Sequence, residues 1–143
     1  MATKIGIIGA GGMLQYHAAG FKQAGGEILA VADMAPGAAE KAAKEWGIAE
    51  AYTSVEEMLE KSDIDAVSII VPNKFHAPLA IQCMNAGKHV FCEKPPALSA
   101  AELQEMIEVS EATGKKMMFN FNNRARPESR EMKKLFENGT LGT

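Results

Sequence analysis

The chain has 143 residues, 47% hydrophobic and 23% charged, a balance that fits one folded domain with a sizeable core and excludes a disordered chain. A net charge of −3 with scattered signs argues against a nucleic-acid groove or an anionic membrane surface, and no run is long enough to span a bilayer. Cys83 and Cys92 have neither metal nor redox spacing and read as buried free thiols; with no signal peptide evident, a cytoplasmic protein is expected.

The chain opens with an apolar run, Lys4 to Ile8, whose consecutive Ile residues suit a strand buried on both faces. Gly9, Gly11 and Gly12 follow, and Met13 to Ala24 reads as a helix with Leu14, His17, Ala18 and Phe21 along one stripe. Strand, glycines and helix in that order present backbone N–H groups and a helix N-terminus to an anion such as a dinucleotide pyrophosphate. Gly9 would permit the tight turn and Gly11 the close approach of phosphate. The third glycine of G-x-G-x-x-G is absent, with Leu14 in its place, and the spacing alone fits a ligand-free turn equally well. His17, on the apolar stripe, reads as a packed, hydrogen-bonded histidine.

A second strand, Glu27 to Ala32, ends at Asp33. An acidic residue there suits the hydroxyls of an adenosine ribose, a reading preferred over a turn carboxylate or a helix cap before Pro36. Met34 stands where an arginine would suit an extra ribose phosphate, so NAD is favoured over NADP. The next helix carries Ala39, Ala42, Ala43 and Trp46, with Trp46 read as core, and Gly47 stops it. Ala49 to Thr53 is a short strand, and Ser54 with Glu57 is a capping-box signature. Asp65 to Val71 is a second doubly buried strand, ended by Pro72-Asn73. A helix from Lys74 to Ala86 and a strand from Lys88 to Cys92 follow, then Glu93-Lys94-Pro95-Pro96. Ser99 with Glu102 opens a long helix to Gly114. Lys115 to Phe121 is a sixth strand, and Pro127 begins a last helix, closed by Asn138-Gly139.

Strands and helices alternate throughout, which predicts an α/β fold: a Rossmann-type, doubly wound parallel sheet of about six strands in order 3-2-1-4-5-6, with helices on both faces. Ligands of such sheets sit beyond the carboxyl ends of the strands. Pro72, Asn73 and Lys94 therefore belong on the same rim as the glycine turn. There Lys94 could exchange a proton or hold a substrate oxygen, or merely form a surface pair with Glu93. His76 could face the rim, although packing is the plainer reading, and Arg124 after the sixth strand could contact substrate or cofactor, with an exposed arginine slightly preferred. No G-K-[ST] phosphate loop and no G-x-S-x-G nucleophile elbow occurs, and His17, His76 and His89 form no local metal motif.

Together the segments G-I-I-G-A-G-G-M-L-Q-Y-H-A-A-G-F from Gly6, V-A-D from Val31, V-P-N-K-F-H from Val71 and A-G-K-H-V-F-C-E-K-P from Ala86 resemble the N-terminal domain of the Gfo/Idh/MocA oxidoreductases. The resemblance implies a nicotinamide cofactor along the strand ends and substrates that are sugars, cyclitols or related polyols, oxidised at a secondary alcohol. It implies Lys94 as the catalytic residue, holding the substrate oxygen, with a bond to Pro95 that is often cis in such proteins. Cofactor contacts are assigned to Gly9, Gly11, Gly12, Met13, Asp33, Pro72, Asn73, His76, Glu93 and Lys94, and no metal ligand is assigned. Two departures stand out, Leu14 at the third glycine and the doubled proline at Pro96.

Residues 1–143 are accordingly expected to be the dinucleotide-binding domain alone, without the family's second, largely antiparallel domain. An open rim would give weak turnover or none, because hydride transfer needs the reacting carbon held within about 3.5 Å of the nicotinamide. A non-catalytic nucleotide-sensing or assembly module is the alternative. Self-association through an uncovered flank formed by Phe119, Phe121 and the last helix is also expected.

Overall fold

The computed structural model describes residues 2–142. Six parallel strands form one sheet: β1 (Lys4–Ile8), β2 (Glu27–Ala32), β3 (Glu50–Tyr52), β4 (Ala66–Ile69), β5 (His89–Cys92) and β6 (Met117–Phe119), in the order β3-β2-β1-β4-β5-β6. The helices are α1 (Leu14–Gln23), α2 (Ala38–Trp46), α3 (Val55–Lys61), α4 (His76–Asn85), α5 (Ala100–Thr113) and α6 (Pro127–Glu137). The topology is the one expected. None of these helices is long and apolar enough to cross a membrane.

Two core layers explain why β1 and β4 are apolar without alternation. Ile7 packs with Leu14, Ala18, Val31, Ala39 and Ala42 on the face covered by α1 and α2. Its neighbour Ile8 points the opposite way, with Val67, Ile69, Ala80, Met84 and Met106, against α3, α4 and α5. Successive residues of a strand face opposite layers, so a strand covered on both sides is apolar at every position. Ser68 is the exception within β4. It is fully buried yet polar, and faces the α1 layer. Cys83 and Cys92 are buried and unpaired, as read from the sequence.

Leu14 opens α1 and is buried in the first layer, so the helix packs on β1 through a leucine where a third glycine would have brought it closer. Ser54 and Ser99 cap α3 and α5, accepting the N–H groups of Glu57 and Glu102 at 3.3 and 3.2 Å. Two expected elements and one expected core residue differ in detail. The segment after Pro72 makes a 3-10 turn over Asn73–Phe75 before α4 begins at His76. Trp46 is half-buried, with the Lys22 ammonium 5.8 Å from its ring. β6 is limited to three residues because it pairs with β5 alone.

Candidate functional site

Parallel strands bring their carboxyl ends to one edge, which gathers residues far apart in sequence. Gly9 follows β1, with φ +108° and a hypothetical Cβ only 3.1 Å from the Ile70 carbonyl oxygen, so no other residue fits its turn without strain. Its N–H donates to the Ala32 carbonyl at 2.8 Å, and the Ala10 N–H donates to Asp33 Oδ2 at 2.7 Å. Among the described residues, the N–H groups of Gly11, Gly12 and Met13 have no acceptor, and they stand where α1 begins. A Cβ on Gly11 or Gly12 would meet nothing within 4 Å. The turn is therefore an open cradle of amide donors at the positive end of a helix dipole, chemistry that suits a diphosphate.

Asp33 sits at the end of β2. Its Oδ1 accepts the Ala35 N–H at 2.8 Å, so the carboxylate holds two loops and keeps lone pairs for a further donor such as a ribose hydroxyl. Beside it opens a cavity of about 380 Å³, lined by Gly9, Met34, Val55, Pro72, Phe75 and Leu79 among others. Its apolar walls and single carboxylate suit a flat heterocycle attached to a sugar. Phe75 and Leu79 were not among the sequence candidates. Their signal was the amphipathic start of the segment after Pro72, which reads as core rather than as a pocket wall. The residues present thus fit a dinucleotide at phosphate, ribose and base.

The other end of the rim carries Glu93 and Lys94. Pro72 and Asn73 are exposed between the two ends. Lys94 is also exposed, one wall of a second cavity of about 400 Å³ shared with Pro95, Pro96, Asn120, Phe121 and Arg124. Among the described residues nothing covers Lys94 enough to take its ammonium out of water. The Lys94–Pro95 bond is cis. Arg124 is exposed, as preferred from the sequence, and lines the same recess as Lys94.

Two candidates for cofactor contact prove to be internal. His76 is 1% exposed, its Nδ1 2.7 Å from the Pro95 carbonyl oxygen and its Nε2 2.9 Å from that of Val71. Packed between the two loops, its ring has no free nitrogen to offer a ligand. Glu93 is 6% exposed, and its carboxylate is committed to three donors: Asn120 Nδ2 at 2.7 Å, His17 Nε2 at 2.9 Å and the Lys94 N–H at 3.1 Å. Burial acts most strongly on Glu93 and pushes its pKa up, but the bonds from Asn120, His17 and the Lys94 amide together outweigh it and hold the carboxyl below its ordinary value. Both residues therefore shape the rim from beneath it.

His17 is the packed histidine anticipated, and its partners come from across the sheet. Nδ1 lies 2.9 Å from Ser68 Oγ, and Nε2 faces Glu93. Because the Glu93 carboxylate only accepts, Nε2 carries the proton; Ser68 can then donate to Nδ1, and every member of the chain has a partner. A serine, a histidine and a glutamate in series have the composition of a nucleophilic triad, but Ser68 is fully buried and no substrate can reach it. The order within the chain was invisible in the sequence, since Ser68 and Glu93 lie 51 and 76 residues from His17.

Comparison with known proteins agrees with this geometry. Residues 3–121 match the family described as "Oxidoreductase family, NAD-binding Rossmann fold". A myo-inositol 2-dehydrogenase of Thermotoga maritima is 34% identical over 97% of this chain, and a D-glucoside 3-dehydrogenase of Escherichia coli is 31% identical over 97%. The crystal structure of scyllo-inositol dehydrogenase from Lactobacillus casei with bound NAD(H) and scyllo-inositol superposes with a TM-score of 0.90 at 31% identity, over 99% of this chain. The chain spans 42%, 40% and 43% of the lengths of those three proteins, respectively. With a matching family over most of its length, an open amide cradle and an acidic residue ending β2, the chain belongs to the Gfo/Idh/MocA oxidoreductases, as their NAD-binding Rossmann domain.

Proposed function

We propose that this domain holds NAD for a dehydrogenase that moves hydride between the nicotinamide and a secondary alcohol of a sugar, cyclitol or related polyol. The observation that carries the reading is the row of N–H groups at Gly11, Gly12 and Met13 that have no partner among the described residues, placed on the same rim as Asp33. These amides bind the diphosphate, Asp33 takes the adenosine ribose, and the cavity beside Phe75 and Leu79 takes the base. Met34, an uncharged side chain beside the ribose position, offers nothing to a ribose phosphate, which favours NAD over NADP.

When bound, the nicotinamide supplies the hydride acceptor. Lys94 holds the substrate oxygen from the adjoining recess, its ammonium stabilising the negative charge that gathers on that oxygen during hydride transfer. Pro72 and Asn73 line the path between the two ends. Arg124, in the same recess, orients the substrate's hydroxyl groups.

The described residues furnish one wall of that recess, and we assign the remaining walls to a second domain. Hydride transfer needs a closely held substrate and excluded water, so this chain alone is expected to bind cofactor well and turn over weakly. The exposed position of Lys94 favours a second reading, a nucleotide-sensing or assembly module without turnover. Sustained polyol oxidation by this chain, abolished in Lys94→Ala, would remove that second reading. Titrating NADH against the wild type and Asp33→Ala tests the first; equal affinities would sink the ribose assignment.

Two further parts of the reading concern its surroundings. Buried free thiols suit a reducing compartment, the cytoplasm. The exposed apolar side chains of β6 and α6 support pairing with a second copy of the chain.

A further inference from the structure

We propose that His17 and Glu93 are positioning residues for Lys94: a buried chain of hydrogen bonds, Ser68 to His17 to Glu93 to the Lys94 N–H, sets where the lysine stands on the rim. This rests on the cofactor reading, in which Lys94 holds the substrate oxygen, and adds to it a reason why Lys94 is placed there by residues that touch neither cofactor nor substrate.

The geometry carries the argument. Lys94 itself is exposed, so neighbouring side chains do little to fix it. Its backbone is fixed instead, by the bond from its N–H to Glu93 Oε2 at 3.1 Å. That oxygen can serve only while the carboxylate keeps its orientation, and Oε1 is held by His17 and Asn120 at 2.9 and 2.7 Å. His17 is held in turn by Ser68 and by the ring of Phe91, whose centroid lies 5.6 Å away. Each member comes from a different element: Ser68 from β4, His17 from α1, Glu93 from the end of β5, Asn120 from the end of β6. A buried carboxylate that loses a donor must find another or turn toward water, and in turning it would release the Lys94 amide.

The two halves of the histidine can be separated chemically. Glutamine places an amide nitrogen near the position of Nε2 and can still donate to Glu93; asparagine is too short to reach it and stays near Ser68. If His17 acts by holding Glu93, His17→Gln keeps the wild-type behaviour and His17→Asn does not. A histidine that merely fills space would give two variants alike.

The test follows the Lys94 backbone amide in 15N-labelled protein without ligand, then NADH binding. The expected result is a displaced Lys94 amide resonance in His17→Asn and a near wild-type position in His17→Gln. NADH affinity, set by the glycine turn, Asp33 and the base cavity, is expected to stay near wild type in both histidine variants, so a displaced Lys94 amide reports on the lysine and not on a damaged fold. An unmoved Lys94 amide in His17→Asn, or equal displacement in both histidine variants, overturns the proposal. If His17→Asn does not fold, Ser68→Ala, which removes the bond that orients His17, decides it by the same resonance. ADP binding to the wild type reports on the cofactor reading separately: its failure defeats that reading, while the ligand-free amide measurement still decides whether His17 sets the Lys94 backbone.

Discussion

Asp33 Oδ2 accepts the Ala10 N–H at 2.7 Å, tying the end of the second strand to the turn that follows the first. The carboxylate assigned to the cofactor's sugar is thus also a structural acceptor, and its two roles separate by substitution. Asp33→Ala strands two backbone donors, Ala10 and Ala35, and should cost about 1–3 kcal/mol of stability along with at least tenfold in NADH affinity. Asp33→Asn keeps an acceptor for one of them, and should recover much of the stability while remaining a weak binder. Thermal unfolding and NADH titration of the two variants check this. A loss of stability without a loss of affinity would leave Asp33 a purely structural residue.

Gly9 and Gly11 predict opposite outcomes from the same substitution. Gly9→Ala places a methyl 3.1 Å from the Ile70 carbonyl oxygen in a backbone at φ +108°, and should destabilise by about 1–3 kcal/mol. Gly11→Ala meets no atom of the chain within 4 Å, so its melting temperature should stay close to wild type. Its methyl projects into the amide cradle, where it should weaken NADH strongly. Normal NADH affinity in a well-folded Gly11→Ala would place the diphosphate somewhere other than this turn.

Much of the fold was legible because its signals are local. Ile7 and Ile8 in succession mark a strand covered on both faces, and Ser54 and Ser99 mark helix starts with their own side chains. The strand order followed from the alternation of elements. The site divided differently. Gly9 and Asp33 act through backbone position, which a motif encodes. Glu93 and His76 look like rim residues from their neighbours in sequence, but side-chain direction depends on partners across the sheet, His17 and Asn120 for one, the Val71 and Pro95 carbonyls for the other. No local pattern contains those pairings.

Acid should weaken the fold through Glu93. Its folded-state pKa lies below the ordinary value of 4.5, so the carboxylate stabilises the native state fully above that value. The contribution is lost as the pH falls below 4.5 and through the lower folded pKa, where protonation disrupts the bonds from Asn120, His17 and the Lys94 amide. Glu93→Gln should therefore be less stable than wild type near neutrality and approach it as the pH drops. Urea unfolding of both proteins from neutral to acid pH measures the gap; one that stays constant would show that the charge of Glu93 does not matter.

The two thiols should be silent until the fold opens. Burial, then the neighbouring Cys92 and Glu56, pushes the pKa of Cys83 up to about 12, and burial with the Glu93 carboxylate does the same for Cys92. Thiolate, the reactive form, is therefore scarce at neutral pH and inaccessible besides. A disulfide reagent should react negligibly with native protein and release two equivalents in denaturant. Fast reaction of one thiol in native buffer would mean that the α4–β5 layer opens readily.

The flank of the sheet beyond β5 should bring two copies of the chain together. β6 is an edge strand with Met118 65% exposed, and Phe121 just beyond it is 48% exposed. On α6, Met132 and Phe136 lie one turn apart on a shared face and are 63% and 69% exposed, while Glu131, Lys133, Lys134 and Glu137 carry the charge. An amphipathic helix with Met132 and Phe136 exposed, in a chain that also leaves one edge of β6 unpaired, exposes the kind of surface that associates. Sedimentation should show a monomer–dimer equilibrium that shifts with concentration. Phe136→Glu should hold the chain monomeric while leaving NADH affinity unchanged, because α6 carries none of the residues assigned to the cofactor. A wild-type chain that stays monomeric at every concentration would refute the pairing, and a dimer insensitive to Phe136→Glu would move it to another surface.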